Sequence, residues 1–486
     1  MANDAPFVAT ENRIYVLVAA ILASSMGFID GSVISIATPA IRANLGASLA
    51  DAQWVSNAYL LLLSSVLLLG GAAGDRFGIR NVFAGGIVLF VVASLGSALA
   101  PNPAVLITAR AIQGLGAAFM VPSSLAIIAR AYPRDERGGA IGIWSSASSF
   151  FTIAGPVIGG LVLTTLGEWA WRLVFAVNLP LGIAALVLLF WKVPADKPDA
   201  DRRLDIGGAV LGTASLLLLA LALTGESTPA GWRFALGAGG LVLAGGFLWW
   251  ESRTKSPMVP LKLFREKAFS GAQGLTFALY FSLAAITFYL PTTLIAGWDV
   301  TPAEVSLVLL PLGIILTILS PFAGRLSDRF GPGPMIASGA TLVAIAFLCL
   351  GLFIGIHNLW FGVLPTMILF ALGMSLVVSP LSTAVMTSVA DRDTGTASGV
   401  NNAVARVAGL FAVATMGGLG ALVFAGFLGA GANGLSFGMP APTGLAADTE
   451  TARVAATDHA FAAIAYVTAA LSLLSGGIAW FTLERK

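Results

Sequence analysis

Gly71-Ala72-Ala73-Gly74-Asp75-Arg76-Phe77-Gly78 returns later in the chain as Gly324-Arg325-Leu326-Ser327-Asp328-Arg329-Phe330-Gly331. Both copies read Gly-x-x-x-Asp-Arg-Phe-Gly. Each closes one long apolar run and opens the next, so each occupies a short charged turn between two hydrophobic segments. A charged turn repeated in this setting marks a chain made of two related halves lying parallel in a membrane.

The rest of the sequence agrees with a membrane setting. Charged residues make up 10% of the 486 residues and hydrophobic residues 57%, whereas a soluble surface needs about 25% charged residues to stay wet. Apolar runs close to the roughly 20 residues that cross a bilayer recur along the whole chain. Fourteen spans are expected, near 14–37, 53–73, 80–100, 103–131, 137–166, 171–193, 206–224, 232–250, 269–296, 305–326, 334–356, 359–389, 395–428 and 460–482. Each must satisfy its own backbone hydrogen bonds in lipid, and no barrel-like alternation is present, so these are helices. The fold class is all-α integral membrane. The early residues hold no basic cluster before the first run, only Arg13, so that run is expected to remain as the first helix rather than be cleaved.

Charge fixes the orientation. Of 26 Lys and Arg, 20 fall in loops on the side of the termini, four (Arg42, Arg172, Arg233, Arg453) on the opposite side, and Arg110 and Arg406 inside spans. The positive-inside rule therefore puts both termini in the cytoplasm. The first motif copy joins helices 2 and 3 and the second joins helices 10 and 11. If helices 7 and 8 are an insertion, both copies sit between the second and third helices of a six-helix unit. The expected domains are a six-helix bundle over 14–193, two inserted helices with their connectors over 194–268, and a second six-helix bundle over 269–486. The connector 194–205 is short and charged. The outer loop 428–460, rich in Gly, Ala and Pro, reads as a mobile connector.

Within the motif, glycines permit a tight turn and close helix approach. An aspartate can face the positive end of a neighbouring helix, and the arginine can pair with it or with lipid phosphate. Gly71, Asp75, Arg76, Gly78, Arg80, Asp328 and Arg329 are therefore candidates for conformational gating.

The pattern resembles the major facilitator superfamily, and the two extra helices point to its 14-spanner drug:proton antiporter branch (EmrB/QacA-like). The resemblance covers nearly the whole chain. Asp30, Ala37, Pro39 and Ile41 match that branch in helix 1, where Ser32 and Ser35 replace its usual Thr and Asn. Gln53-Trp54-Val55 and Ala58-Tyr59-Leu60 match at helix 2, and Arg110, Gln113, Gly114 and Gly116 at helix 4. Gly142, Gly155, Pro156, Gly159 and Gly160 match the helix 5 antiporter motif, although Phe151 stands where a glycine is expected. Trp171-Arg172 through Asn178, Pro180 and Gly182 resembles helix 6. The resemblance implies a multidrug efflux transporter driven by the proton gradient, with no cofactor. Gly155 and Pro156 join the gating candidates.

Ionisable residues at membrane depth are costly and mark function. Asp30 lies roughly 24 Å along helix 1 from the inner face, and Arg110 roughly 10 Å into helix 4 from the outer face, at 1.5 Å per residue. They fall at similar depth and can pair if helices 1 and 4 face one cavity. Desolvation favours the neutral carboxyl and a nearby arginine the charged one, so Asp30 is expected to carry the coupling proton with Arg110 tuning it. A fixed structural pair is the competing reading. Arg406, in helix 13 near mid-depth after Asn401 and Asn402, either anchors a polar substrate group or braces the bundle against carbonyls. Glu168 with Arg172 reads as an interfacial pair, and Asp205 and Asp299 as helix-end residues.

A drug cavity should be mostly apolar with a few polar anchors. Asn57, Gln113, Gln273, Phe277, Tyr280, Phe281, Met374, Asn401 and Arg406 are its candidate lining. Cys349 excludes an internal disulfide. His357 and His459 lack metal-site spacing and read as loop residues, so no metal site is expected. No P-loop, nucleophile cluster or soluble domain supports an enzyme. The expected partners are a small lipophilic substrate, protons and the lipid bilayer, with no nucleic acid and with any membrane-fusion partner open. The expected location is the bacterial inner membrane. Export of amphipathic compounds against protons is the leading reading; a same-fold carrier of one metabolite, lipid or siderophore is the alternative.

Overall fold

A computed structural model describes residues 7–196, 198, 203–224, 229–390, 393–429, 434–442 and 444–484. The terminal Met1–Pro6 and the connector charges Lys197 and Arg202 lie outside these. Fourteen helices among the described residues are long and apolar enough to cross a membrane. We number them α1 (Arg13–Leu45), α2 (Leu49–Phe77), α3 (Ile79–Ala98), α4 (Pro103–Ala131), α5 (Arg134–Leu166), α6 (Glu168–Lys192), α7 (Ile206–Thr224), α8 (Ala230–Arg253), α9 (Lys267–Thr292), α10 (Pro302–Phe330), α11 (Pro332–Phe353), α12 (Leu359–Thr387), α13 (Thr394–Leu428) and α14 (Ala447–Thr482).

The repeat extends well beyond the turn motif. α2 and α10 are both 29 residues long. Each starts with a capping box, Ser48 with Asp51 and Thr301 with Glu304, in which side chain and backbone satisfy each other's free N–H groups. Each ends on a glycine with positive φ, 89° at Gly78 and 84° at Gly331, a backbone that a side chain would strain. Packing repeats as well. In the first six helices α2 and α3 pack on α4, α1 on α5 and α6, and α3 on α6; in the last six α10 and α11 pack on α12, α9 on α13 and α14, and α11 on α14.

The two bundles meet along α2 against α13 and α5 against α10. Glycines set both seams. A Cβ on Gly160 would collide with Ser306 Oγ and lie 2.5 Å from the Pro302 carbonyl oxygen, and one on Gly417 would collide with Gln53 and Tyr289. α7 leans on α2 and α13, straddling one seam, and α8 packs on α7. Phe234, Leu241 and Val242 of α8 are exposed, as befits a lipid-facing helix. Asp205 holds this pair at one end: it accepts from Gly208 N at 2.8 Å and from Trp250 Nε1 at 2.7 Å. That carboxylate sits at the N-terminus of α7, where helix dipole and free N–H groups favour it.

The outer loop differs from the mobile connector expected of its composition. α14 begins at Ala447, thirteen residues before the expected span, and the described residues 434–442 fold into the end of the molecule opposite the termini. Residues 430–433 and 443 lie outside the description. Phe437 is buried and stacks on Tyr289 with ring centroids 6.0 Å apart. Its carbonyl accepts from Arg42 Nη1 at 2.9 Å, and that of Met439 from Arg453 Nη1 at 3.2 Å. Arg42 and Arg453, which read as outer-loop charges, are both buried, one from each bundle; Arg42 donates to loop carbonyls and to Ser436 Oγ, and Arg453 to loop and helix-end carbonyls and to both Glu450 carboxylate oxygens.

Candidate functional site

α4 presents Arg110, Gln113, Gly114 and Gly116 within two turns. The glycines allow close approach on both flanks. A Cβ on Gly114 would collide with the Tyr59 carbonyl of α2, and one on Gly116 would lie 2.6 Å from Phe90 N of α3. The close approach of α2 brings the Val55 carbonyl to Arg110, and that of α3 brings the Ser94 hydroxyl to Gln113.

Asp30 and Arg110 meet there. Arg110 Nη1 donates to Asp30 Oδ2 at 2.6 Å, with 1% and 0% of the two side chains exposed. Arg110 Nη1 also donates to Gln113 Oε1 at 2.6 Å, and Nε to the Val55 carbonyl at 2.9 Å. Gln113 Nε2 donates to the second Asp30 oxygen at 3.1 Å and to Ser94 Oγ at 2.8 Å. Asn178 Nδ2 donates to Ser94 Oγ at 3.2 Å. The Arg110 guanidinium lies 4.3 Å from the centre of the Tyr59 ring and 5.6 Å from that of Phe175, close enough for cation–π attraction. Charges this far from water must be paired and hydrogen-bonded, and these are. Ser94, Asn178 and Phe175 were not read as site residues. Asn178 stands where α6 breaks between Ala176 and Asn178, because Pro180 has no N–H to give the Ala176 carbonyl one turn earlier.

Beside this cluster a cavity of about 650 Å³ runs from the end bearing the termini to the middle of the bundle. Its mouth carries Asp75, Arg203, Asp205 and Pro257; deeper in are Phe28, Trp144, Asn402 and Arg406. The opposite end is shut. Gln53 Nε2 donates to Tyr289 Oη and to the Val413 carbonyl, each at 2.9 Å, and Ser306 Oγ donates to the Pro156 carbonyl at 2.7 Å. All three ties cross between bundles. The molecule is therefore open toward its termini.

Of the lining candidates, Arg406 reaches the cavity wall. Gln113 belongs to the Asp30 cluster, and Met374 is 2% exposed within the packed core of the second bundle. Gln273 and Asn401 tie α9 to α13, with Asn401 Nδ2 donating to Gln273 Oε1 at 3.3 Å and to Thr276 Oγ1 at 2.7 Å. Phe277 and Phe281 form an aromatic group with Phe411. Tyr280 lies within electrostatic reach of Arg406. Asn57 is fully buried, and neither its oxygen nor its nitrogen has a partner.

The gating candidates form tethers inside one bundle. Asp75 Oδ1 accepts from Arg130 Nη2 at 2.9 Å. The N-terminus of α3 is capped by Asp196, which accepts from Ile79 N at 2.8 Å and Arg80 N at 3.0 Å. Asp75 was expected near such a helix end; the connector's aspartate takes that place because Gly78, with φ 89°, leaves room for it. The second copy uses backbone instead, Gly333 N donating to the Glu484 carbonyl at 3.1 Å. Arg80 lies 4.9 Å from the Phe190 ring centre, and Arg76 and Arg329 lie over Phe77 and Phe330. A Cβ on Gly155 would lie 2.9 Å from Ser32 Oγ of α1.

The family profile described as the Major Facilitator Superfamily matches residues 20–413. The chain belongs to this superfamily. It is similar to an uncharacterised transporter of the superfamily from Mycobacterium tuberculosis, 33% identical over 82% of this chain and 69% of the relative. The Tetracenomycin C resistance and export protein of Streptomyces glaucescens is 33% identical over 82% of this chain and 74% of its own length. The Methylenomycin A resistance protein of Bacillus subtilis is 31% identical over 84% and 88%. Among solved structures, a bacterial homologue of the human lysosomal transporter Spinster, inward-facing and occupied, superposes with a TM-score of 0.66 over 98% of this chain and 97% of that one at 18% identity. The inward-open xylose transporter XylE from E. coli gives 0.63 over 98% and 97% at 16% identity. At these identities the structures speak for the fold. The chain is a multi-pass membrane transporter of small molecules, not an enzyme.

Proposed function

We propose that this superfamily member exports amphipathic compounds from the cytoplasm in exchange for protons, with Asp30 as the proton carrier. The observation that carries the proposal is the Asp30–Arg110–Gln113 cluster, a salt bridge with 0% and 1% exposure set against a cavity that opens to one side only. Protonating Asp30 cancels one charge of the pair and leaves Arg110 buried with only dipolar partners. Stripping a buried charge of its partner costs about 3–5 kcal/mol. That is enough to favour a different packing of α1 on α4, and α1 also packs on α5 at the inter-bundle seam. Relatives named for antibiotic resistance and export support the outward direction, and the loop charges support cytoplasmic termini, which makes the open cavity inward-facing in a bacterial cell membrane.

The test is substrate-induced proton movement in proteoliposomes, native protein against Asp30→Asn, with cationic, neutral and anionic lipophiles. The asparagine variant is expected to lose coupled proton release while still binding substrate. Full coupled flux in that variant would make the Asp30–Arg110 pair structural. A response to a single metabolite or lipid would favour the dedicated-carrier alternative.

A further inference from the structure

At the deep end of the cavity Arg406 is, among the described residues, a cation without a counter-ion. Among the described residues it has no hydrogen-bond or salt-bridge partner, and its Nε is buried with none. Bracing against carbonyls is therefore not its role in this state. The cavity acids do not balance it. Asp75 lies at the mouth and accepts from Arg130. Asp205, also at the mouth, accepts from Trp250 Nε1 and Gly208 N. Asp30 is paired with Arg110 and sealed from the cavity. What shares the deep part of the cavity wall with Arg406 instead is neutral: Asn402, and Phe28 and Trp144, which pack edge-on at 6.3 Å.

Arg406 is only partly buried at the wall of an open cavity, so its guanidinium there meets water rather than a counter-ion. A solute that brings an acidic group supplies the missing counter-charge, and the planar fork of arginine matches carboxylate-like oxygens in pairs. The aromatic wall would receive an apolar body. The geometry points to Arg406 as the receptor for an acidic group on the transported molecule, so that the preferred substrate class is the amphipathic anion: an apolar body bearing one carboxylate, sulfonate or ionised phenol. This rests on the cavity being the transport path.

The experiment compares anilinonaphthalene sulfonate with N-phenylnaphthylamine, the same ring system without the sulfonate, and with ethidium, a cation. Binding is read by fluorescence on full-length protein in zwitterionic nanodiscs, with empty nanodiscs subtracted. Native protein is expected to bind the sulfonate at least about tenfold more tightly than the neutral amine. Arg406→Gln should abolish that ratio and leave amine binding unchanged, and Arg406→Lys should keep part of it. Unchanged amine binding also certifies that the variants fold. A sulfonate-to-amine ratio untouched by Arg406→Gln, tighter binding of ethidium, or no specific sulfonate binding would overturn the assignment. Transport reads separately. If the ratio collapses in Arg406→Gln but native proteoliposomes move neither probe nor protons, the anion site stands and the exporter reading falls. If ethidium alone is exported against protons, the reverse holds.

Discussion

Residue by residue, the buried charges were the legible part of the site and, Gln113 apart, their neutral partners were not. An aspartate or arginine in an apolar run stands out because lipid penalises it, so Asp30, Arg110 and Arg406 could be named from sequence. Ser94 and Asn178 could not, since short polar residues occur throughout membrane helices, where they also bond to their own backbone; Asn57 was named, but as cavity lining. Asn57 is the informative case. It follows Gln53 by one turn on the same face of α2, and Gln53 bonds to Tyr289 and Val413 of the second bundle. Its amide is wholly buried without a partner, which costs about 1–3 kcal/mol. Asn57→Leu, close in volume, should therefore raise the thermal stability of the detergent-solubilised protein. It should also slow transport, because the inward-open state gains relative to the state in which that seam parts. A lower unfolding temperature would mean that the amide is satisfied.

At the level of elements, long apolar helices and the doubled turn were readable because each follows from one dominant demand, span length or a positive-φ glycine. The outer loop was misread because its Gly- and Pro-rich composition hides a single aromatic anchor, Phe437, and because its carbonyl partners, Arg42 and Arg453, are far away in sequence. The α5–α10 seam makes a sharper demand. Gly160 abuts Ser306 and the Pro302 carbonyl so closely that any side chain must push α10 away. Gly160→Val should cost about 1–3 kcal/mol through overpacking, and the cost falls on the state whose outer end is closed. Spin labels at Ala43 and Phe361, one on each bundle near that end and both exposed, should then report a longer distance in the valine variant, with transport reduced. An unchanged distance distribution would show that α5 and α10 do not bear on outer closure.

For the whole molecule, the two bundles share one packing scheme but not one charge scheme. The first buries a matched pair, Asp30 with Arg110, whereas the second offers Arg406 to the cavity unmatched. If the proton travels with the first and an anion with the second, each turnover moves charge in a definite direction. One proton entering and one monoanion leaving together carry two positive charges inward, whereas a monovalent cation leaving against one proton carries none. An inside-negative potential acts on each moved charge with about 2.3 kcal/mol per 100 mV. Two charges thus give a driving force of about 4.6 kcal/mol at that potential, and none arises for the cation exchange. Proteoliposomes holding a valinomycin-set potassium potential and no pH gradient separate the cases. Export of anilinonaphthalene sulfonate should accelerate steeply with inside-negative potential and be lost in Arg406→Gln, and any ethidium export should be indifferent to it. Potential-independent movement of the sulfonate would mean that no net charge crosses in a cycle, which one proton entering against one monoanion leaving cannot give, and the one-for-one exchange through Asp30 and Arg406 would fall.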